Sequence, residues 1–381
     1  MLNRTTIEAY VNAHYEEAVE LLETLGRIPA PSRQEDRRAA FCRDWFLAQG
    51  AQEAWVDAAK NTICPIGCDA SPGGTDEMVV FMAHSDVVFN DTDELPLRRE
   101  GDILHAPGIG DDTANLVNLM LAAKYLLTEK PALDTGVLVV ANACEEGLGN
   151  LDGCKEIMRV YGDRIKEVYS FDGYFPQCTD TPVGSHRYAL LAKAAGGHSY
   201  LDFGKENAIV AMAELIQALY RVTPPTADTT TYNVGRIEGG STVNSLPQEC
   251  RCLYEYRSPS QECLEIMQKE LEAALEASRR NGHEVELELL GVRPGKGTFA
   301  PGRLEAFTAS NLDLIRTWYD GECDRQPYST DSNVPLSMGI PANTIGTVVG
   351  AKAHTREEWV DLTSLPRGMS IILSLMGKYI S

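Results

Sequence analysis

The sequence predicts an α/β protein: a larger domain with a mostly parallel central sheet flanked by helices, interrupted by a smaller α+β domain. Three observations lead there. The chain has 381 residues, and chains beyond roughly 250 to 300 residues split into domains because a single hydrophobic core stops growing. Short apolar runs alternate with stretches of helical spacing in the first half and near the end, the pattern of strands joined by crossover helices. Between residues 185 and 297 that texture changes, which places one domain at 1–184 with 298–381 and the other at 185–297.

Over residues 7–47 apolar positions recur at helical spacing, broken at Ile28-Pro29-Ala30-Pro31, which predicts two helices around a Pro-rich turn. Met78-Val79-Val80-Phe81-Met82-Ala83 is too short for a typical helix and reads as a buried strand, with His84 just past its end. Helical spacing resumes over 116–127, and 136–143 reads as a second buried strand followed by Glu145 and Glu146. A third strand over 165–171 ends at Asp172, and a fourth over 341–349 ends shortly before His354. Ligands of such sheets collect at the carboxyl ends of the strands, so these polar residues converge. In the insert, 188–194, 229–237 and 249–256 predict strands, and 208–220 and 264–280 predict helices.

Lys and Arg number 34 against 55 Asp and Glu, a net charge of -21. Phosphate backbones and anionic membrane surfaces would be repelled, which argues against both as partners. The first residues lack the basic-then-apolar pattern of a signal peptide, and no apolar run reaches the ~20 residues that cross a bilayer, so a cytoplasmic location is expected. The ten cysteines show no metal-finger spacing and are read as reduced, mostly buried thiols.

Ala83-His84-Ser85-Asp86 sets an imidazole and a carboxylate two residues apart, on one face of an extended backbone. A zinc-bound imidazole donates its other ring hydrogen to an outer partner, a role open to Asp86; a purely structural pair has the same spacing. Gly108-Ile109-Gly110-Asp111-Asp112-Thr113 puts two carboxylates before a predicted helix, where capping accounts for one Asp but does not need two. In Cys144-Glu145-Glu146-Gly147 adjacent carboxylates repel unless a cation or proton lies between them. A solvated loop is the bland alternative; the functional one gives one Glu to metal and the other to proton transfer. With Asp172 and His354, the set suits a pair of zinc ions.

Taken in order, His-x-Asp, Gly-x-Gly-Asp, Glu-Glu, Asp, Gly-Gly-His-Ser and a late His resemble the M20 family of metallopeptidases over nearly the whole chain. That family includes aminoacylases, glutamate-type carboxypeptidases, dipeptidases and tripeptide aminopeptidases. The resemblance implies a two-metal catalytic domain and an inserted lid domain that often dimerises, hence a homodimer. It implies that Asp111 bridges two divalent ions, zinc with cobalt or manganese as substitutes. His84 and Asp172 would complete one site, Glu146 and His354 the other, with Glu145 as general base and Asp86 orienting His84. Ala194-Ala195-Gly196-Gly197-His198-Ser199 resembles the lid segment whose His stabilises the tetrahedral intermediate, frequently across a dimer, which assigns His198. Asn244 and Arg257 resemble lid positions that contact the substrate carboxylate, and both have structural readings as well. Thr113 stands where many members have Lys, and Glu255 where Asp is usual; neither is an implied ligand, so these departures bear on the subfamily.

The implied function is exopeptidase hydrolysis of an amide bond in a di- or tripeptide, with a zinc-activated water as nucleophile. An N-acyl-amino-acid deacylase needs the same site with a different pocket. A catalytically silent binding relative would have lost a ligand or the base, whereas every expected position here is filled.

Overall fold

The computed structural model describes residues 2–381, which form two compact units. The larger comprises Met1–Thr181 and Thr298–Ser381, the smaller Pro182–Gly297.

A seven-stranded sheet organises the larger unit, in the spatial order Trp55–Val56, Thr62–Ile66, Gly136–Asn142, Met78–His84, Ile165–Phe171, Ala342–Ile345 and Cys178–Thr179. The four strands from Gly136–Asn142 to Ala342–Ile345 are mutually parallel. The outer pairings are antiparallel, so the sheet is mixed around a parallel centre. Met78–His84 and Gly136–Asn142 are buried along their whole length, as apolar runs covered on both faces must be. The helix Ala114–Glu129 is apolar nearly all round and packs against Leu365–Met376 inside the unit.

Three helices, Arg4–Ala13, Tyr15–Arg27 and Asp36–Ala48, occupy the stretch expected to hold two. The added break falls at His14, whose Nδ1 donates to the Tyr10 carbonyl at 2.8 Å and whose ring stacks on Tyr10. The strand expected over 341–349 is only Ala342–Ile345. At Gly346 the chain leaves the sheet so close to Tyr174 that a Cβ would lie 2.3 Å from its carbonyl carbon. It then forms Val349–Ala351, which pairs with Trp359–Asp361 in a separate four-stranded sheet.

The smaller unit is an antiparallel sheet in the order Thr231–Gly239, Glu249–Ser258, Gly184–Lys193 and Glu284–Arg293, packed against the helices Ala208–Leu219 and Gln261–Arg280. Glu249–Ser258 alternates buried and partly exposed residues, the signature of a sheet covered on one face. Asn207 Oδ1 accepts the N–H groups of Ile209 and Val210, and Ser260 Oγ accepts that of Cys263; each cap is worth ~1 kcal/mol. Ser185 pairs with Arg293, so the chain enters and leaves this unit side by side. Gly197–His198 and Ser245–Leu246 form a separate two-stranded ribbon. Among the described residues no helix is long and apolar enough to cross a membrane, and all ten cysteines are free.

Candidate metal centre

Parallel strands bring the polar residues of the larger unit to one edge. His84 is the last residue of Met78–His84, Asp172 follows Ile165–Phe171 directly, and Glu145 and Glu146 lie just beyond Gly136–Asn142. Asp111 comes from the turn ahead of Ala114–Glu129, and His354 from the loop after Val349–Ala351. His354 and Cys144 both adopt left-handed backbone angles, φ 63° and 62°, a strain that packing must hold in place and that clusters at functional sites.

Two triads result, His84 with Asp111 and Asp172, and Asp111 with Glu146 and His354; the ligating atoms of each lie within 4.8 Å of one another. Asp111 belongs to both. Its Oδ1 is 3.0 Å from His84 Nε2, and its Oδ2 is 3.2 Å from His354 Nε2. His354 Nε2 is also 3.1 Å from Glu146 Oε1, an atom that is buried with no hydrogen-bond partner. His84 Nδ1 donates to the backbone carbonyl of Asp86 at 3.0 Å. In the neutral ring this leaves the Nε2 lone pair facing a carboxylate oxygen. Acceptors aimed at acceptors fit a divalent cation, and two imidazoles with three carboxylates are a donor set that zinc accepts.

The electrostatics agree with that fit. Burial alone would lower the pKa of His84, but Asp112, Asp111, Asp86 and Asp172 raise it well above its ordinary value. The Asp111 and Glu146 carboxylates push His354 up to about 11. Burial, with the charges of Asp111 and Glu145, pushes Glu146 up to about 7. Burial and then Asp111 raise Asp172 strongly, and Glu145 is near enough to add to that shift. So many carboxylates in little water demand compensating positive charge.

Several buried groups hold these side chains in place. The Asp86 carboxylate lies 3.5 Å from His84 Nδ1, but it accepts the backbone N–H groups of Glu145 and Glu146 at 3.0 and 2.9 Å and the Ser32 hydroxyl at 2.6 Å. It therefore shapes the Glu-Glu turn more directly than it turns the imidazole. Asp112 accepts the backbone N–H of His84 at 2.8 Å. Glu358 accepts the N–H groups of Gly108, Gly110 and Asp111 at 2.7, 2.9 and 2.8 Å and the Tyr174 hydroxyl at 3.0 Å. Asp331, wholly buried, accepts the side-chain amide of Asn142, and burial and the charge of Glu145 push its carboxyl up to about 7. Sequence reasoning missed Glu358, Ser32, Tyr174 and Asp331; Glu358 had one signal, a carboxylate four residues past His354.

The model of peptidase family M20/M25/M40 matches residues 80–378, a span that contains every member of both triads. The chain belongs to this family. The M20 chain is thus a hydrolase of the metallopeptidase type. It is 25% identical over 356 residues to a Pyrobaculum aerophilum protein provisionally named a LysW-lysine/LysW-ornithine hydrolase, with 91% of this chain and 93% of that one covered. In fold it is similar to a tripeptidase from Staphylococcus aureus, at 17% identity and a TM-score of 0.75, covering 96% of this chain and 99% of that one. It is also similar to a dinuclear metal-binding M20 peptidase from Bacillus subtilis, at 14% identity and a TM-score of 0.61, covering 97% and 100%.

In the smaller unit of the M20 chain, His198 and Asn244 sit together on the short ribbon, where Ser199 donates its N–H to the Asn244 carbonyl at 3.0 Å. His198 Nδ1 accepts the N–H groups of Tyr200 and Leu201 at 3.2 and 3.4 Å, which assigns the ring hydrogen to Nε2. Arg257 is elsewhere. It pairs with Ser185 at one end of the main sheet, whereas the ribbon follows Lys193 at the other, roughly 25 Å away at the rise of a strand. Its guanidinium donates to Glu255 at 3.0 and 3.1 Å.

Proposed function

We propose that this chain hydrolyses the amide bond of a small peptide, a di- or tripeptide, as an exopeptidase dependent on two divalent ions, zinc above all. The observation that carries this reading is the pair of triads sharing one carboxylate, Asp111. His84 and Asp172 would hold one ion, Glu146 and His354 the other, with Asp111 between them. When bound, such ions act as Lewis acids and lower the pKa of water toward about 7. Glu145, 6% exposed and outside both triads, takes the proton of the attacking water on a carboxylate oxygen and delivers it to the leaving nitrogen.

Arg257 lies at the Ser185 end of the smaller unit's sheet and His198 on the ribbon that follows its Lys193 end, an arrangement that disfavours both acting on one small substrate from a single copy. A homodimer in which His198 and Asn244 reach the partner's site resolves this. Tyr200, Leu201, Phe203 and Val243, which flank the ribbon, are 79% or more exposed, and apolar patches of this kind mark docking surfaces. The free cysteines fit a cytoplasmic setting.

The test combines metal analysis with a substrate panel of dipeptides, tripeptides and N-acetyl amino acids. Two ions per chain, loss of turnover on chelation, and a Glu145→Gln variant that keeps its metal but loses ~100- to 10,000-fold in rate are expected. Full activity of metal-free protein would refute the reading. Turnover of acyl amino acids alone would replace peptidase with deacylase, and no turnover at all would favour a silent binding protein.

A further inference from the structure

Three of the loops that carry members of the two triads, those of Asp111, Asp172 and His354, meet at one buried carboxylate that belongs to neither triad. Glu358 is fully buried. Its Oε2 accepts the N–H of Gly108, and its Oε1 accepts those of Gly110 and Asp111. The same Oε1 takes the hydroxyl of Tyr174, two residues beyond Asp172. Glu358 itself stands four residues beyond His354 and leads into Trp359–Asp361. The Asp111 turn, the Asp172 loop and the His354 loop are therefore fastened to one side chain.

The packing leaves little freedom around it. A Cβ on Gly110 would lie 2.5 Å from Tyr174 Cε1 and 3.1 Å from Glu358 Oε1, and one on Gly350 would lie 2.6 Å from Tyr174 Cε1. A charged carboxylate taken wholly out of water is costly unless donors surround it. Four donors converge here, three of them backbone N–H groups of a turn that would otherwise lack partners.

The geometry points to Glu358 as a positioning residue, with Tyr174 as its partner: together they lock the Asp111 turn to the loops bearing Asp172 and His354 and so set the spacing of the two metal sites. This rests on the two-metal reading above. Glu358 touches no proposed ion; it acts through the backbone of Asp111 and the phenol of Tyr174. Groups of this kind, one step removed from the ligands, change metal affinity ~10- to 100-fold when lost.

The experiment is a cobalt titration of metal-free protein, following the visible spectrum with a competing chelator, together with thermal unfolding. Glu358→Ala is expected to bind cobalt ~10- to 100-fold more weakly and to show an altered spectrum. Glu358→Gln keeps an acceptor for Gly110, Asp111 and Tyr174, and is expected to restore both affinity and spectrum toward wild type. Tyr174→Phe removes one hydroxyl and is expected to shift the spectrum without lowering the unfolding temperature as Glu358→Ala does. Wild-type affinity and spectrum in a folded Glu358→Ala protein would overturn the inference. Should that variant fail to fold, an unchanged spectrum and affinity in Tyr174→Phe would overturn it instead. Wild-type protein that binds no divalent ion would remove the two-metal reading and this inference together, an outcome distinct from the other two.

Discussion

Replacing Asp86 with alanine tests whether its carboxylate holds the Glu145-Glu146 turn. Two buried backbone N–H groups, those of Glu145 and Glu146, lose their acceptor at once. Each buried donor left without a partner costs ~1–3 kcal/mol, so the variant should lose about 2–6 kcal/mol. Ser32 adds little, because its hydroxyl also reaches the Glu146 carbonyl at 3.2 Å. Asp86→Asn retains one acceptor oxygen and should lose about half as much. Urea unfolding of the metal-free protein, followed by tryptophan fluorescence, suits the measurement. All four tryptophans, Trp45, Trp55, Trp318 and Trp359, lie in the larger unit, so the signal reports that unit alone. An alanine variant within about 1 kcal/mol of wild type, or an asparagine variant less stable than the alanine one, would refute the reasoning.

Gly110→Ala forces a Cβ to 2.5 Å from Tyr174 Cε1 and 3.0 Å from Val360 Cγ1; overpacking of this size costs ~1–3 kcal/mol, and an unchanged urea midpoint would show that the turn yields freely. In the smaller unit, Glu206 and then Glu214 raise the pKa of His283. A folded-state pKa above the unfolded ~6.5 means that the stabilisation is complete below that pH and disappears as pH rises through the folded value. The stability gap between wild type and His283→Gln, measured by circular dichroism, should therefore be wider near about pH 5.5 than near about pH 9, and should shrink in salt; a gap flat with pH would contradict this.

What could be read in the sequence was the local part of the problem. Met78 to Ala83 is an uninterrupted apolar run, Ile165 to Phe171 is rich in β-branched and aromatic residues, and the polar residue at each end is visible by position. The contacts that hold the centre are not local. Glu358 meets the Asp111 N–H across 247 residues and Asn142 meets Asp331 across 189, and no periodicity reports such a meeting. Antiparallel edges were hidden for a related reason, since the direction of Thr62–Ile66 depends on its partner Gly136–Asn142 and not on its own composition. Glu284–Arg293 escaped notice despite a period of two, with Glu284, Glu286 and Glu288 alternating with Val285 and Leu287. The family resemblance gave Asn244 and Arg257 one role; that Arg257 and the residues after Asn244 lie toward opposite ends of one strand is visible only in the strand pairing.

The side-by-side pairing of Ser185 with Arg293 has an architectural consequence. No strand of the seven-stranded sheet comes from the insert, and both of its connections run through neighbouring strands. The smaller unit is attached as a cassette: its sheet, helices and ribbon can be exchanged, resized or excised at one doorway without rerouting the chain that builds the metal centre. Each unit has its own hydrophobic core, so a change within one need not disturb the packing of the other.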